Sequence, residues 1–272
     1  MKELHIEERK RICVEILLEF DNICKEQDIT YFLAYGTLLG AIRHQGFIPW
    51  DDDVDVWVPI EEYFQLIQVL KLKSKYKLLE CFGNENWPMG FSKLSDPSTI
   101  VIDNGKNQNE CIKRGLAIDI FPLFSCLKQQ RWINKLHHYQ NNIFHMYNYR
   151  NNIICCKSVF KLWYTNLRIR INLMTSKNIC YWQEKLYIEE SREKKDNYVG
   201  SPISIYGIKD IYLKEWFETS IKMKFENYLF SVPVGYDNIL RNLYNNYLEL
   251  PEMNKRVSNH NVKVYLFDEK EI

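Results

Sequence analysis

An α+β fold is what the hydrophobic pattern of this 272-residue chain predicts: a mixed β-sheet flanked by helices, then a mostly helical C-terminal region. Three observations carry that expectation. Residues 7–26 repeat apolar side chains at Ile12, Ile16, Phe20 and Ile23, the spacing of one helix face. Residues 53–59 alternate strictly, with Val54, Val56 and Val58 facing one way and Asp53, Asp55 and Trp57 the other, which is the period of a strand. From about Leu127 to Lys195 the pattern turns helical.

After the helix of residues 7–26, Tyr31–Tyr35 reads as a short strand running into Gly36-Thr37, and Leu38–His44 as a short helix. Gln45-Gly46 and Pro49 break the chain. The alternating strand ends at Pro59, which opens a helix through about Leu72. Strand-like pieces follow at Tyr76–Glu80, Gly90–Leu94, Thr99–Ile102 and Leu116–Phe121. A last helix, Tyr236–Leu248, is stopped by Pro251. The change of pattern places a boundary near residue 125, between a mixed first part (1–125) and a mostly helical second part (126–272).

Composition excludes several classes. Hydrophobic residues at 46% suffice for a sizeable core, and 18 Tyr with 14 Phe leave some aromatics for a surface or groove. Lys and Arg number 36 against 35 Asp and Glu, so no nucleic-acid partner is expected. None of the eight cysteines forms a C-x-x-C pair, which argues against a zinc knuckle and fits a reduced compartment. The charged start, MKELHIEERKR, lacks the apolar stretch of a signal peptide, and no apolar run reaches the ~20 residues a bilayer span needs. A cytoplasmic protein is expected, one able to sit on the inner face of the cell membrane.

The chemistry concentrates between Tyr31 and Val56. Asp53 and Asp55 are two apart on a strand, so both carboxylates share a face with Cα atoms about 6.6 Å apart. Carboxylates this close repel unless a cation lies between them. Mg²⁺ suits that place, since it takes hard oxygen ligands and binds one or two carboxylates together with substrate phosphates; Mn²⁺ is the alternative. Gly36-Thr37 lies between a strand and a helix, where the backbone can approach a phosphate and helix N–H groups can hold it. A Gly-[Ser/Thr] turn followed by Asp-x-Asp on the next strand is the pattern of the nucleotidyltransferase superfold. Asp119, an acid inside the apolar run Leu116–Pro122, is the candidate third carboxylate, because burying it unpaired would be costly.

Tyr31–Val56 resembles the signature of the LicD family of phosphotransferases, which includes the fukutin-type enzymes. Further matches are Lys93-Leu-Ser-Asp96, Gly115-Leu-Ala-Ile-Asp-Ile-Phe-Pro122, Glu215-Trp-Phe217, Val232-Pro-Val-Gly-Tyr-Asp237 and Tyr244-Asn-Asn-Tyr247. The resemblance implies Mg²⁺-dependent transfer of phosphocholine or a polyol phosphate from a CDP-linked donor to a cell-surface glycan or its lipid-linked precursor. It implies a metal site of Asp53, Asp55 and Asp119; Asp51 shares their face if the strand starts early, and Asp119 or Asp51 could serve as base. Gly36 and Thr37 match the phosphate turn, and Arg43, His44 and Lys93 match basic positions that could hold phosphates; Arg43 could instead cap its helix. Residues 1–125 would be the nucleotidyltransferase-like catalytic core, and residues 126–272 would complete the site and the acceptor surface.

The chain departs from the family at Ser95, where many relatives carry Arg, at Asn245, where the pattern has Gly, and at Ser258-Asn259-His260, where relatives often carry paired histidines. Asn tolerates a left-handed backbone, so the turn at 245 can survive. Two rival readings are a metal-dependent glycosyltransferase using a nucleotide sugar and a catalytically inactive binding protein. In residues 157–174, Val159, Phe160, Trp163, Leu167, Ile171 and Met174 form an apolar stripe, with Lys157, Lys161, Arg168 and Arg170 mostly off it. It reads either as a helix packed on the core or as a contact with anionic lipid or a lipid-linked acceptor.

Overall fold

The computed structural model describes residues 1–83, 86–103, 115–151, 158–191, 197–257 and 262–267. After the two-residue strand β1 (Lys2–Glu3), the helical spacing of the N-terminal segment produces α1 (Ile6–Glu26), which buries Cys13, Ile16, Leu17, Phe20, Ile23 and Cys24. Glu8 reaches back to accept from the His5 N–H at 2.9 Å. Glu7 and Glu8 at the start and Lys25 at the end also match the helix dipole. The chain continues through β2 (Phe32–Leu33), α2 (Tyr35–His44), β3 (Asp55–Pro59), α3 (Ile60–Lys73), β4 (Lys77–Leu79), β5 (Ser92–Ser95), β6 (Thr99–Asp103) and β7 (Ala117–Ser125). Three helices follow, α4 (Gln130–Arg150), α5 (Val159–Met174) and α6 (Ile179–Ser191). Then come β8 (Tyr198–Gly200), β9 (Ile211–Leu213), β10 (Ser220–Phe225), β11 (Tyr228–Pro233), α7 (Tyr236–Tyr244) and β12 (Val262–Leu266).

These elements cluster into two compact units. One comprises Met1–Leu79, Lys93–Leu123 and the chain from Tyr212 onward; the other comprises Glu80–Ser92 and Phe124–Ile211. In the first unit the main sheet runs β2-β3-β7-β5-β4. β3 pairs antiparallel with β2 and parallel with β7, and β4 pairs antiparallel with β5, so the sheet is mixed. A smaller antiparallel sheet, β1-β12-β6, and the hairpin β10-β11 complete it. β3 is buried on both faces, with Val56, Trp57 and Val58 fully enclosed. Trp57 anchors an aromatic cluster, its ring edge-on to Tyr35 at 4.8 Å and to Tyr212 and Phe217 at 5.7 Å each. Each such pair contributes roughly 0.5–1.5 kcal/mol beyond burial.

The second unit is helical. α4 packs along α6, and α5 packs on α4. β8 pairs with the last residues of β7, Phe124 opposite Gly200. Trp87 is enclosed and its indole N–H donates to the Phe91 carbonyl at 2.6 Å, while the Gln183 amide donates to the Cys81 carbonyl at 3.1 Å.

The α+β class holds, and three local expectations change. α2 starts at Tyr35 rather than Leu38, so Gly36 lies within its first turn. β3 starts at Asp55, leaving Asp53 in the segment before it. Five strands, β8 to β12, follow residue 197, where the apolar pattern had suggested helix or nothing regular. Two are only three residues long, and the tight turn joining β10 to β11 carries Glu226 where a glycine would have signalled a hairpin. Asn245 ends α7 at φ 57 and ψ −114, a positive-φ backbone outside the left-handed helical region. Lys157 and Ser258-Asn259-His260 lie outside the described residues.

Candidate active site

The site is built where β3 and β7 run side by side. Asp55 opens β3, and its Cα partner across the parallel ladder is Asp119. The Asp119 N–H donates to the Val54 carbonyl at 2.8 Å, which locks that register. Asp55 itself is held from two sides. Its N–H donates to the Thr37 hydroxyl at 2.9 Å, and its carbonyl accepts from the Ala34 N–H at 2.9 Å. Thr37 is therefore a buried brace between α2 and β3.

The run Asp51-Asp52-Asp53-Val54-Asp55 divides by parity. Asp51 and Asp53 press their charge on Asp55. Asp52 is tied elsewhere: it pairs with Arg9 of α1 at 3.2 Å, and its carbonyl accepts from the Cys13 thiol at 3.6 Å. Burial first, then the charges of Asp53 and Asp119, push the Asp55 carboxyl well above its usual range. Lys93 on β5 opposes that push, and Asp51 adds to it. The Lys93 ammonium pairs directly with the Asp119 carboxylate, both side chains being mostly buried. That register depends on a close crossing at Gly115, where a Cβ would sit 1.8 Å from the Asp96 carbonyl oxygen. The Leu116 carbonyl there accepts from the Asp96 N–H at 2.8 Å.

Gly36 lies beside the acids, since a Cβ on it would stand 3.0 Å from Asp51 Oδ2. The residue before it, Tyr35, has φ 42. A tyrosine in that region costs on the order of 1–3 kcal/mol. Its ring is clamped edge-on by Trp57 and by Phe121 at 5.0 Å, and this packing holds the turn.

Arg43 and His44 are placed at the other end of α2. The Arg43 guanidinium donates to the carbonyls of Tyr247 at 2.8 Å and Glu249 at 3.4 Å, and to the His44 ring at 3.0 Å. His44 meets Trp50 edge-on, and the Arg256 guanidinium lies 5.9 Å from the Trp50 ring. Burial, and secondarily the Arg43 charge, depress the His44 pKa. Arg43 thus ties α2 to the segment after α7 rather than capping its own helix, and it meets the neighbouring His44 ring.

Sequence reasoning missed three residues here. Arg9 neutralises Asp52. Glu226, in the β10–β11 turn, accepts from the Phe47 N–H at 2.9 Å and fixes the loop leading to the acids. Tyr35 shapes the turn into Gly36. None of the three left a local signal: the turn at Glu226 lacks the glycine that marks a hairpin, and the other two depend on long-range packing.

The donor set, all carboxylate oxygen, fits a hard divalent cation in chemistry. Among the described residues no three His, Cys, Asp or Glu side chains already close around a common point. A cation entering here would compete with Lys93 for Asp119, and would relieve the repulsion that Asp55 bears.

Residues 28–153 match the family model described as LicD/FKTN/FKRP, nucleotidyltransferase domain. Over 98% of this chain and the full length of the relative, the sequence is 29% identical to the lipopolysaccharide cholinephosphotransferase LicD of Haemophilus influenzae. This chain carries a LicD-family domain. More limited likenesses are to an uncharacterised Rickettsia typhi protein, 35% identical over 26% of this chain and 23% of that one, and to yeast mannosyltransferase regulator 4, 32% identical over 39% of this chain and 9% of that one. In LicD-family terms the motif residues divide by physical role. Asp51, Asp53 and Asp119 act on the buried Asp55 carboxyl through their charge. Phe217 packs edge-on to Phe32 and Trp57. Gly235 leaves room for Trp216, whose Cβ would lie 2.3 Å from an added Cβ. Asp237 accepts from the Tyr247 hydroxyl at 2.7 Å. These last residues build part of the scaffold of the unit that holds Asp55 and Asp119.

Proposed function

We propose that this LicD-type phosphotransferase moves phosphocholine or a polyol phosphate from a CDP-linked donor to a cell-surface glycan or its lipid-linked precursor, working on the cytoplasmic side of the membrane. The family domain and the full-length cholinephosphotransferase relative support the enzyme class. The observation that carries the reading is the in-register placement of Asp55 beside Asp119, with Asp51 and Asp53 adding charge and Gly36 opening space at Asp51.

Asp53, Asp55 and Asp119 would hold Mg²⁺, or Mn²⁺ in its place. When bound, the ion supplies neutralisation of the charge on the transferred phosphate. An acceptor hydroxyl attacks the donor phosphorus nearest the transferred group; a new P–O bond forms, the pyrophosphate P–O bond breaks, and CMP leaves. Asp119 or Asp51 accepts the hydroxyl proton. Lys93, adjacent to Asp119, offers its ammonium to a phosphate oxygen, and the first turn of α2 offers backbone N–H groups.

The test is incubation with CDP-choline, CDP-glycerol and CDP-ribitol in turn, with an acceptor glycan, following CMP. Mg²⁺-dependent CMP release with one donor is expected. Release of UDP or GDP from a nucleotide sugar instead would make the chain a glycosyltransferase, and the absence of nucleotide binding would make it a binding protein.

A further inference from the structure

The sequence leaves α5 with two readings, a core helix or a lipid contact. The structure rules against the first. Ile169 is its one side chain buried among the described residues. Val159, Phe160, Trp163 and Met174 are 82%, 73%, 59% and 86% exposed, and Tyr164, Leu167, Ile171 and Leu173 are exposed as well. At the helical angle per residue, all of these except Leu173 fall within an arc of about 140° opposite Ile169. Scattered apolar residues on a surface are ordinary; a continuous stripe along four turns is not.

Charge identifies what covers it. Residues 159–174 contain Lys161, Arg168 and Arg170 and no acid. Lys161 and Arg170 are exposed, so their charges face the medium. Trp163 and Tyr164 combine apolar rings with polar tips, the side chains that favour a bilayer's headgroup level. A protein partner would have to bring its own acids to these cations, whereas an anionic lipid surface presents negative charge and an apolar interior together. A helix with broad apolar exposure, interfacial aromatics, and cations with no acid of its own is the composition of one lying in the plane of an anionic membrane surface. No helix among the described residues is long and apolar enough to cross a bilayer, so the contact is one of lying on it.

We propose that α5 is a membrane-docking helix, its Phe160, Trp163, Leu167, Ile171 and Met174 face embedded among the headgroups of an anionic lipid surface. The inference rests on α5 alone and does not depend on the chemistry at Asp55. Docking of this kind would bring the enzyme to a lipid-linked acceptor.

Flotation with vesicles of phosphatidylcholine alone and of phosphatidylcholine mixed with phosphatidylglycerol tests it. The intact chain should float with the mixed vesicles and stay behind with the neutral ones, and raised salt should weaken the binding. Trp163→Ser with Ile171→Ser should reduce partitioning at least tenfold. Lys161→Gln with Arg170→Gln should reduce it by about fivefold for each cation removed. All four positions are exposed, so circular dichroism and melting temperature should be unchanged, as should CMP release with a water-soluble acceptor. A wild-type chain that stays in solution with the mixed vesicles overturns the proposal. So does equal binding by the wild type and both variants, or a stripe that proves to be covered by self-association, lost in Trp163→Ser with Ile171→Ser, without vesicle binding. Loss of CMP release with docking retained would instead count against the proposed reaction.

Discussion

Asp55 is the residue on which burial and charge act together most strongly. Its carboxyl is held well above the ordinary range by desolvation and by Asp53 and Asp119. The folded state therefore binds a proton more readily than the unfolded chain. In metal-free protein, stability should fall as pH rises from about 4, the unfolded value, up through the raised folded value, and level off beyond it. Asp55→Asn removes that slope, keeps the shape and one acceptor oxygen, and should melt no lower than wild type at pH 7. Activity should fall by about a thousandfold, roughly 4 kcal/mol of transition-state stabilisation. Melting curves from pH 4 to 8 with chelator, set beside CMP release, check both halves; near-normal transfer by the variant would remove Asp55 from the chemistry. Gly36 invites a second test in which stability and activity part company. Alanine is the better helix former by up to about 1 kcal/mol, yet its Cβ would stand 3.0 Å from Asp51 Oδ2. Gly36→Ala should match or exceed wild type in melting temperature and lose about a hundredfold in turnover, since small displacements at a reacting centre are costly. Full turnover would show that Gly36 leaves its space for no ligand.

Among the elements, the β10–β11 hairpin is the one whose sequence conceals its purpose. Its turn carries Glu226 at φ 55, a conformation glycine adopts without strain. The glutamate persists because its carboxylate accepts from the Phe47 N–H and its own N–H donates to the Gln45 carbonyl at 2.9 Å, clamping the loop between α2 and the acids. Gly46 makes the clamp possible, since a Cβ there would lie 2.3 Å from Glu226 Oε1. Glu226→Gly should thus leave the global unfolding free energy within about 1 kcal/mol of wild type, backbone relief offsetting the lost hydrogen bond. It should speed amide exchange at Phe47 at least tenfold and lower turnover. Unchanged exchange at Phe47 would mean that the loop is held by packing alone.

Across the whole molecule, folding and ligand binding should be linked through the acids. A ligand that binds only the native state at a hundred times its Kd stabilises by about 2.7 kcal/mol. Mg²⁺ and the productive CDP-linked donor together should raise the melting temperature of the wild type by several degrees, and the shift should vanish in Asp53→Asn and Asp55→Asn. A shift that survives both substitutions would place the nucleotide away from these carboxylates. The path of the chain explains why the site needs the segment that begins at Tyr212. The unit holding Asp55 and Asp119 takes in residues 1–79, 93–123 and the chain from Tyr212 onward. Arg43 reaches the carbonyls of Tyr247 and Glu249, and Phe217 packs against β2 and β3. Truncation near residue 210 would therefore strip the scaffold from the acids.

The period of Val54–Val58 and the lone acid in Leu116–Pro122 were enough to read the strand that carries Asp55 and the one that carries Asp119, because side-chain direction along a strand is a local property; that β3 begins only at Asp55, with Asp53 before it, was not legible. The helices α1 and α3 to α6 were legible for the same reason. Which neighbour each acid meets is not local. Asp52 pairs with Arg9, 43 residues away, and Asp119 with Lys93 across β5, while Arg43 serves a carbonyl 204 residues on. The stripe on α5 shows the same limit from the other side: periodicity established an apolar face, and only the packing of α5 could decide whether that face was covered. Spacing along the chain sets which side chains share a face, and the tertiary structure alone sets what that face meets.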